Sequence, residues 1–377
     1  MKLCILSMQR VQNFGSLLQG YALKVLLEQL GHTVSFLDIE KNEVDDRLLD
    51  GKCHHFPEEN DGRGILSKIK KLDRYTVNRL RMKGLSRLQN SKFERFRMTE
   101  LEMKERSADA HYDCCVIGSD EVFNCMSGAP WGLTGQLFGD VKQADKVITY
   151  AASCGATKLE ELPEAAAQRI RGAFENVSAF SVRDENTRHM VSHLTEKAVM
   201  VHFDPVFVGD FEEEMQKAAL PRELPRKYCI VYSYYNRISR KEEIRAIKGF
   251  CKAHGLEIVT VGAPQMWVKK HLVLEPFAML RVFQNADFVI TDTFHGTLFS
   301  AKYAQRFAVM VRPSNENKLA DLIGRLELDA HRLTSFDQLE TVYGRGNDVG
   351  RIAALTEAER NRSLRYLRDS LEIGEKK

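Results

Sequence analysis

The chain has 377 residues, enough to bury a sizeable core and to fold as two domains of ordinary size. Lysine and arginine number 55 against 52 aspartates and glutamates, so the global field of a nucleic-acid binder is missing and nucleic acid is set aside as a partner. No stretch is long and apolar enough to span a bilayer, and the N-terminus lacks a signal-peptide pattern, so the expected location is the cytoplasm.

KLCILS reads as a strand, GSLLQGYALKVLLEQLG as a helix ended by Gly31, and HTVSFLDI as the next strand, a βαβ unit. Residues 62–98 are strongly cationic, with Ile65, Leu66, Ile69, Leu72, Val77 and Leu80 at roughly helical intervals. Helices with basic outer faces are therefore expected in an insertion near 60–100. Most such faces are simply solvated; the functional alternative is peripheral contact with an anionic membrane surface at the inner leaflet. YDCCVIG and DKVITYAASCG follow as strands, then a helix over about 163–176, and AFSVRDENT and AVMVHFDPVF complete a first lobe spanning 1–208. A polar, proline-bearing connection, EEEMQKAALPRELPRK, opens a second lobe over 209–355. There YCIVYSYY, LEIVTVG, DFVITDT and RFAVMV alternate with helices through RKEEIRAIKGFCKAHG, near PFAMLRVFQNA and around NKLADLIGRLEL. A charged helix over 356–377 ends the chain. Such alternation implies an α/β fold of two Rossmann-like lobes with mostly parallel sheets covered on both faces.

Several of the eight cysteines lie inside apolar runs and none forms a C-x-x-C pair, the pattern of buried reduced thiols. The Cys53, His54, His55 cluster lacks a second ligand pair at zinc spacing, so no metal site is expected.

Open α/β sheets bind ligands at the carboxyl ends of their strands, so the polar residues just after each strand are the site candidates. In the first lobe these are Asn13 and Gly15 of NFG, Gly118, Ser119 and Asp120 of GSDE, residues 153–155, and Arg183 of SVRDEN. In the second they are residues 233–235, Gly262, and Thr293, His295, Gly296 and Thr297 of ITDTFHGTLFSAKYAQ. In that last stretch ADFVI reads as a buried strand and 297–305 as a helix, with His295 and Gly296 in the turn between them and Asp292 or Thr293 as the cap. Gly118 and Gly155 let backbone N–H groups approach a ligand, and the Arg183 fork suits phosphate or carboxylate. The plainer alternatives are that Arg183 pairs with Asp184 or Asp204, that Gly118 only turns the chain, and that Asp120 caps the following segment.

QNFGSLLQGYALKVLLEQLGH, YDCCVIGSDEVFN, YAASCGA, FSVRDENT, FDPVF and ITDTFHGTLFSAKY, in this order, resemble the polysaccharide pyruvyl transferase family. That resemblance implies a GT-B-like architecture with the site in the interdomain cleft. It also implies an enzyme of cell-surface polysaccharide (exopolysaccharide) biosynthesis that moves the pyruvyl group of phosphoenolpyruvate onto two hydroxyls of a saccharide, forming a cyclic ketal. His295 matches the family's active-site histidine and Arg183 an arginine that grips phosphoenolpyruvate. Two departures stand out: Thr293 where some members have arginine, and Glu121 and Phe123 where many read GSDQxWN.

A donor carrying a carboxylate and a phosphate needs fixed cations and the N–H groups of a helix start, which Arg183 and the backbone near Gly296 and Thr297 would supply. The attacking hydroxyl must lose a proton and the departing phosphate gains from receiving one; a histidine of ordinary pKa, about 6.5, serves either step. Asp120 is a second catalytic candidate, orienting the sugar or assisting proton transfer. No step requires a cofactor. The acceptor is expected to be a saccharide, free, polymeric or lipid-linked. Two other readings fit the same plan: a glycosyltransferase with a nucleotide-sugar donor, and a saccharide-binding relative that has lost the reaction.

Overall fold

The computed structural model describes residues 1–50, 68–103, 110–126, 131–312 and 316–372. Cys53 to His55, the cluster weighed above for metal, lie outside the described residues. The first sheet is built from β1 (Lys2–Leu6), β2 (Thr33–Leu37), β3 (Cys114–Ile117), β4 (Val147–Thr149), β5 (Val177–Val182) and β6 (Val199–Val201). Its helices are α1 (Phe14–Gln29), α2 (Glu43–Asp46), α3 (Lys68–Thr99), α4 (Glu164–Phe174), α5 (Glu185–Leu194), α6 (Pro205–Val208) and α7 (Glu212–Lys217). The second sheet contains β7 (Tyr228–Tyr232), β8 (Glu257–Val261), β9 (Lys270–Leu272), β10 (Phe288–Thr291), β11 (Phe307–Met310) and β12 (Arg332–Leu333). With it go α8 (Lys241–Ala253), α9 (Pro276–Gln284), α10 (Phe294–Tyr303), α11 (Glu316–Arg325), α12 (Leu339–Tyr343) and α13 (Val349–Glu372).

Both sheets are parallel throughout. The central strands are buried on both faces: CCVI in β3, FVIT in β10 and FAVM in β11 have no exposed position, whereas the edge strand β6 exposes Met200. Strand order is β2-β1-β3-β4-β5-β6 in the first sheet and β12-β11-β10-β7-β8-β9 in the second. The direction of winding reverses between β1 and β3 in one lobe and between β7 and β10 in the other. Those two reversal points, where flanking loops diverge and leave a crevice, are where doubly wound sheets bind ligands. The two-lobed, GT-B-like α/β architecture expected from the sequence is therefore visible in the strands themselves.

The lobes share one apolar core. Leu17 and Leu23 of α1, Phe207 of α6, Leu298 and Phe299 of α10 and Leu367 of α13 belong to a single buried cluster. Short α6, capped by the Asp204 side chain on the Val206 N–H and started by Pro205, packs against α1, α10 and α13. Helix α13 returns to the first lobe: the Tyr366 hydroxyl donates to the Thr149 carbonyl at 2.9 Å and Lys146 donates to the Leu371 carbonyl at 3.0 Å. The C-terminal helix thus starts earlier than its expected onset at 356, and it ties the two lobes together.

Several expectations change. The basic insertion, where described, is one long helix, and Arg97 is not on its solvated face. Its guanidinium is 1 % exposed and donates to the carbonyls of Gln9, Arg10 and Val11 at 2.7, 3.2 and 3.1 Å. Gln89 is also buried, and its amide exchanges two hydrogen bonds with the backbone of Leu274 at 2.8 and 3.0 Å. This helix therefore straps the first lobe to the second. The connection after 209 begins as α7, and β9, β12 and α12 were not anticipated. The seven described cysteines are buried, and no disulfide joins any two of them. No helix among the described residues is long and apolar enough to cross a membrane.

Candidate functional site

The loops after β1 and β3 face those after β7 and β10 across a cleft of about 610 Å³. Asn13, Asp120, Arg183, Thr293 and His295 all line it. The largest structural surprise lies at its base. Asp204, fully buried after β6, accepts from Arg183 Nη1 at 2.8 Å, Ser119 Oγ at 3.1 Å and the Val206 N–H at 2.9 Å. The His295 ring, which arrives from the other lobe, places Nε2 3.6 Å from the same carboxylate. That separation is longer than a hydrogen bond and becomes an ion pair when the ring is protonated.

Burial alone would raise the Asp204 carboxyl, but the His295 ring, the Arg183 guanidinium and the Val206 N–H hold it well below the ordinary carboxylate range. Arg183 shows the mirror image. Burial disfavours its charge, yet Asp204, Asp120 and Asp184 more than offset that and raise its pKa. Arg183 also stands 3.6 Å from Asp120 and 4.1 Å from the centre of the Phe294 ring, and its Nε has no hydrogen-bond partner among the described residues. Of the two plain partners considered for Arg183, the structure selects Asp204. Asp184 instead caps α5 through the Thr187 N–H and accepts from Ser153 at 2.7 Å.

Asp120 sits in the cleft wall with φ of 69°, a left-handed conformation that aspartate tolerates better than most residues. It accepts from Ser16 Oγ at 2.6 Å. The neighbouring candidates turn out to be supports. Ser119 is fully buried, with its hydroxyl on Asp204 and on the Ala151 carbonyl and its N–H on Gln19. Gly118 has φ of +128°, and a Cβ there would stand 2.1 Å from the Tyr150 carbonyl oxygen. Its N–H donates to Leu6, so the close approach it permits is to the sheet and not to a ligand. Asn13 caps α1 by accepting from the Ser16 N–H at 2.7 Å. Gly15 brings the lobes together: a Cβ on it would meet His295 Nδ1 at 2.1 Å.

Helix α10 begins at Phe294, so His295 and Gly296 occupy its first turn and not a turn before it. The expected start at 297 was too late because Thr293, one of the two proposed caps, already accepts the Gly296 N–H at 3.0 Å. Asp292 is fully buried instead with Arg312 Nε at 3.0 Å and Arg237 Nε at 3.4 Å. The N–H of Thr297 bonds the Thr293 carbonyl at 3.0 Å and its hydroxyl bonds the same oxygen, so neither Gly296 nor Thr297 offers a free donor. The open N–H groups of this helix start are by position those of Phe294 and His295. Asp204, named from the sequence only as a plain partner for Arg183, stands at the centre of this cluster. Its signal was FDPVF, an aspartate between a strand and an N1 proline.

Among the described residues no group of three or more His, Cys, Asp or Glu side chains is arranged to hold a metal ion. The sequence model of the family described as polysaccharide pyruvyl transferase matches residues 13–313. No curated protein sequence matches the chain. In overall shape the chain is similar to the UDP-GlcNAc 2-epimerase of Methanocaldococcus jannaschii, at 11 % identity over 97 % of this chain and 99 % of that one, TM-score 0.48. The UDP-GlcNAc 2-epimerase of Neisseria meningitidis bound to UDP-GlcNAc gives 10 % identity over 98 % and 99 %, TM-score 0.49. The E. coli heptosyltransferase WaaC with ADP gives 12 % over 92 % and 100 %, TM-score 0.36.

Proposed function

The chain belongs to the polysaccharide pyruvyl transferase family, a family of transferases, and from that premise we propose that it moves the pyruvyl group of phosphoenolpyruvate onto a saccharide as a cyclic ketal. The observation that carries this reading is the meeting of His295 from one lobe with the Asp204–Arg183 pair of the other inside a single cleft. Arg183 and the N–H groups of Phe294 and His295 receive the donor's anionic groups. Arg237 and Arg312, at the root of α10, are balanced by Asp292 and Glu243, so where this chain has Thr293 in place of an arginine the donor's charge falls to Arg183 and the helix start.

The reaction protonates the donor's methylene carbon, which leaves the central carbon open to a sugar hydroxyl. Loss of phosphate then opens it to the second hydroxyl; as the ketal closes, one of the two hydroxyl protons makes up for the proton taken by the methylene carbon and the other leaves with the phosphate. His295 relays protons between sugar oxygen and phosphate oxygen. Asp204, kept ionised by its surroundings, stabilises the imidazolium that each relay creates. Arg183 holds Asp204 in place while contacting the donor. Asp120, held by Ser16, faces the attacking sugar hydroxyls. The exposed cations Lys83, Arg87 and Arg95 of α3 extend the reading to an acceptor carried on lipid at an anionic membrane surface. Vesicle binding that ignores anionic lipid content would remove that extension.

The test is phosphate release from phosphoenolpyruvate across galactosyl, glucosyl and mannosyl acceptors. Release should require both donor and sugar, with nucleotide sugars inert. Turnover of a nucleotide sugar in place of phosphoenolpyruvate would overturn the reading in favour of glycosyl transfer.

A further inference from the structure

Among the described residues the only large aromatic side chains left exposed are Tyr234 and Tyr235, at 57 % and 54 %, and they are adjacent on the loop after β7. Both line the same cleft as Arg183 and His295. Exposed aromatic rings cost hydrophobic free energy, and two of them in the wall of one cleft mark a surface that something covers. Next to them Ser233, only 4 % exposed, has a buried hydroxyl with no hydrogen-bond partner among the described residues. A buried hydroxyl left unsatisfied in a cleft wall is a place where a ligand atom completes the bonding.

The loop is held, so the rings are presented and not merely dangling. The Gln265 amide, fully buried, donates to the Tyr234 carbonyl at 2.8 Å, and the Arg237 guanidinium lies 5.3 Å from the Tyr234 ring centre. Helix α3 contributes Ser86, Asn90 and Phe93 to the same cleft, residues at helical spacing on one face. Ser86 and Asn90 are exposed there, offering a hydroxyl and an amide. A pyranose ring matches this chemistry: its C–H face is apolar and stacks on an aromatic ring, while its equatorial hydroxyls reach outward to amides and hydroxyls. A three-carbon donor at Arg183 leaves most of a 610 Å³ cleft unfilled.

We propose that Tyr234 and Tyr235, with Ser233 beside them and the Ser86–Asn90 face of α3 in the same cleft, form the acceptor subsite and stack a pyranose ring of the saccharide within reach of His295. The assignment rests on the pyruvyl-transfer reading for what happens next, but not for what binds. Helix α3 then has two tasks, since its Gln89 straps the second lobe while its cleft face selects the sugar.

The experiment titrates galactosyl, glucosyl and mannosyl oligosaccharides into the parent protein, Tyr234→Ala, Tyr235→Ala and the two tyrosine-to-phenylalanine variants by calorimetry, with phosphoenolpyruvate titrated separately. Each alanine variant should weaken binding of the preferred oligosaccharide by about tenfold, the phenylalanine variants should retain most of it, and melting temperature and phosphoenolpyruvate affinity should stay within error of the parent. Failure of every oligosaccharide to bind the parent overturns the subsite, as do alanine variants that bind sugar as the parent does. Failure of phosphoenolpyruvate alone to bind would overturn the donor assignment and leave the sugar result to decide the subsite.

Discussion

Gly15→Ala perturbs the site from a distance in sequence and through one atom. Gly15 lies in the first turn of α1, and a Cβ there would stand 2.1, 2.3 and 2.6 Å from Nδ1, Cγ and Cε1 of His295. Non-bonded carbon and nitrogen atoms settle near 3.5 Å, so the ring must retreat by more than about 1 Å. Displacing a catalytic group by about 1 Å costs on the order of 10²-fold in rate. Stability changes less: forcing one methyl into a packed contact costs about 1–3 kcal/mol, and alanine recovers up to about 1 kcal/mol of helix propensity over glycine. The assay is kcat for phosphoenolpyruvate-dependent phosphate release at saturating sugar, paired with a thermal melt. We expect kcat about 100-fold lower and a melting temperature shifted by only a few degrees. A variant with the parent's kcat would refute the claim that the chemistry needs His295 seated against Gly15.

Asp204→Asn keeps the shape and removes the charge that Arg183 faces at 2.8 Å. A buried guanidinium that loses its carboxylate costs about 3–5 kcal/mol, and the imidazolium loses its stabiliser, so the urea midpoint should fall and kcat should drop by about 10²–10⁴; an unchanged midpoint would contradict the buried pair. His202 is fully buried, with burial first and then Arg362 and Arg325 pushing its pKa down to about 4. The unfolded chain, with an ordinary pKa near 6.5, takes up this proton first, so stability is lost as pH falls from about 6.5 to 4. The loss reaches about 2 kcal/mol by pH 5. His202→Gln should flatten that acid limb in urea titrations at pH 7 and 5, and an equal slope in both proteins would remove His202 as its source. Gln89→Ala leaves the Leu274 N–H and carbonyl without their partner, so amide exchange at Leu274 should accelerate while the first sheet stays protected.

The alternation of strands and helices was legible because parallel strands buried on both faces read as short apolar runs, as CCVI and DFVI do. The details that failed depend on partners far away in sequence. Thr293 capping Gly296 moved the α10 start, and nothing local in TDTFHG distinguishes that from a loose turn. Arg97 looked like part of a solvated basic face because its acceptors, the carbonyls of Gln9 to Val11, come from a different element. Gly15 and Asp204 stand in NFG and FDPVF, stretches that carry the family resemblance, but their contacts with His295 appear only when the second lobe brings that ring across. Of the first-lobe candidates, Arg183 and Asp120 reach the cleft as expected, whereas Ser119 and Gly118 support them from within the sheet edge. Tyr234 and Tyr235 were noted only for following a strand; their exposure is a property of the folded surface.

The central claim is that an imidazole from one lobe and an aspartate–arginine pair from the other act together on one donor and one sugar. The most direct measurement is the mass of the saccharide after incubation with phosphoenolpyruvate and either parent or His295→Ala. A ketal-bearing product that appears with the parent, disappears with His295→Ala and leaves phosphoenolpyruvate affinity intact is the predicted result. A product formed equally by both proteins would contradict it.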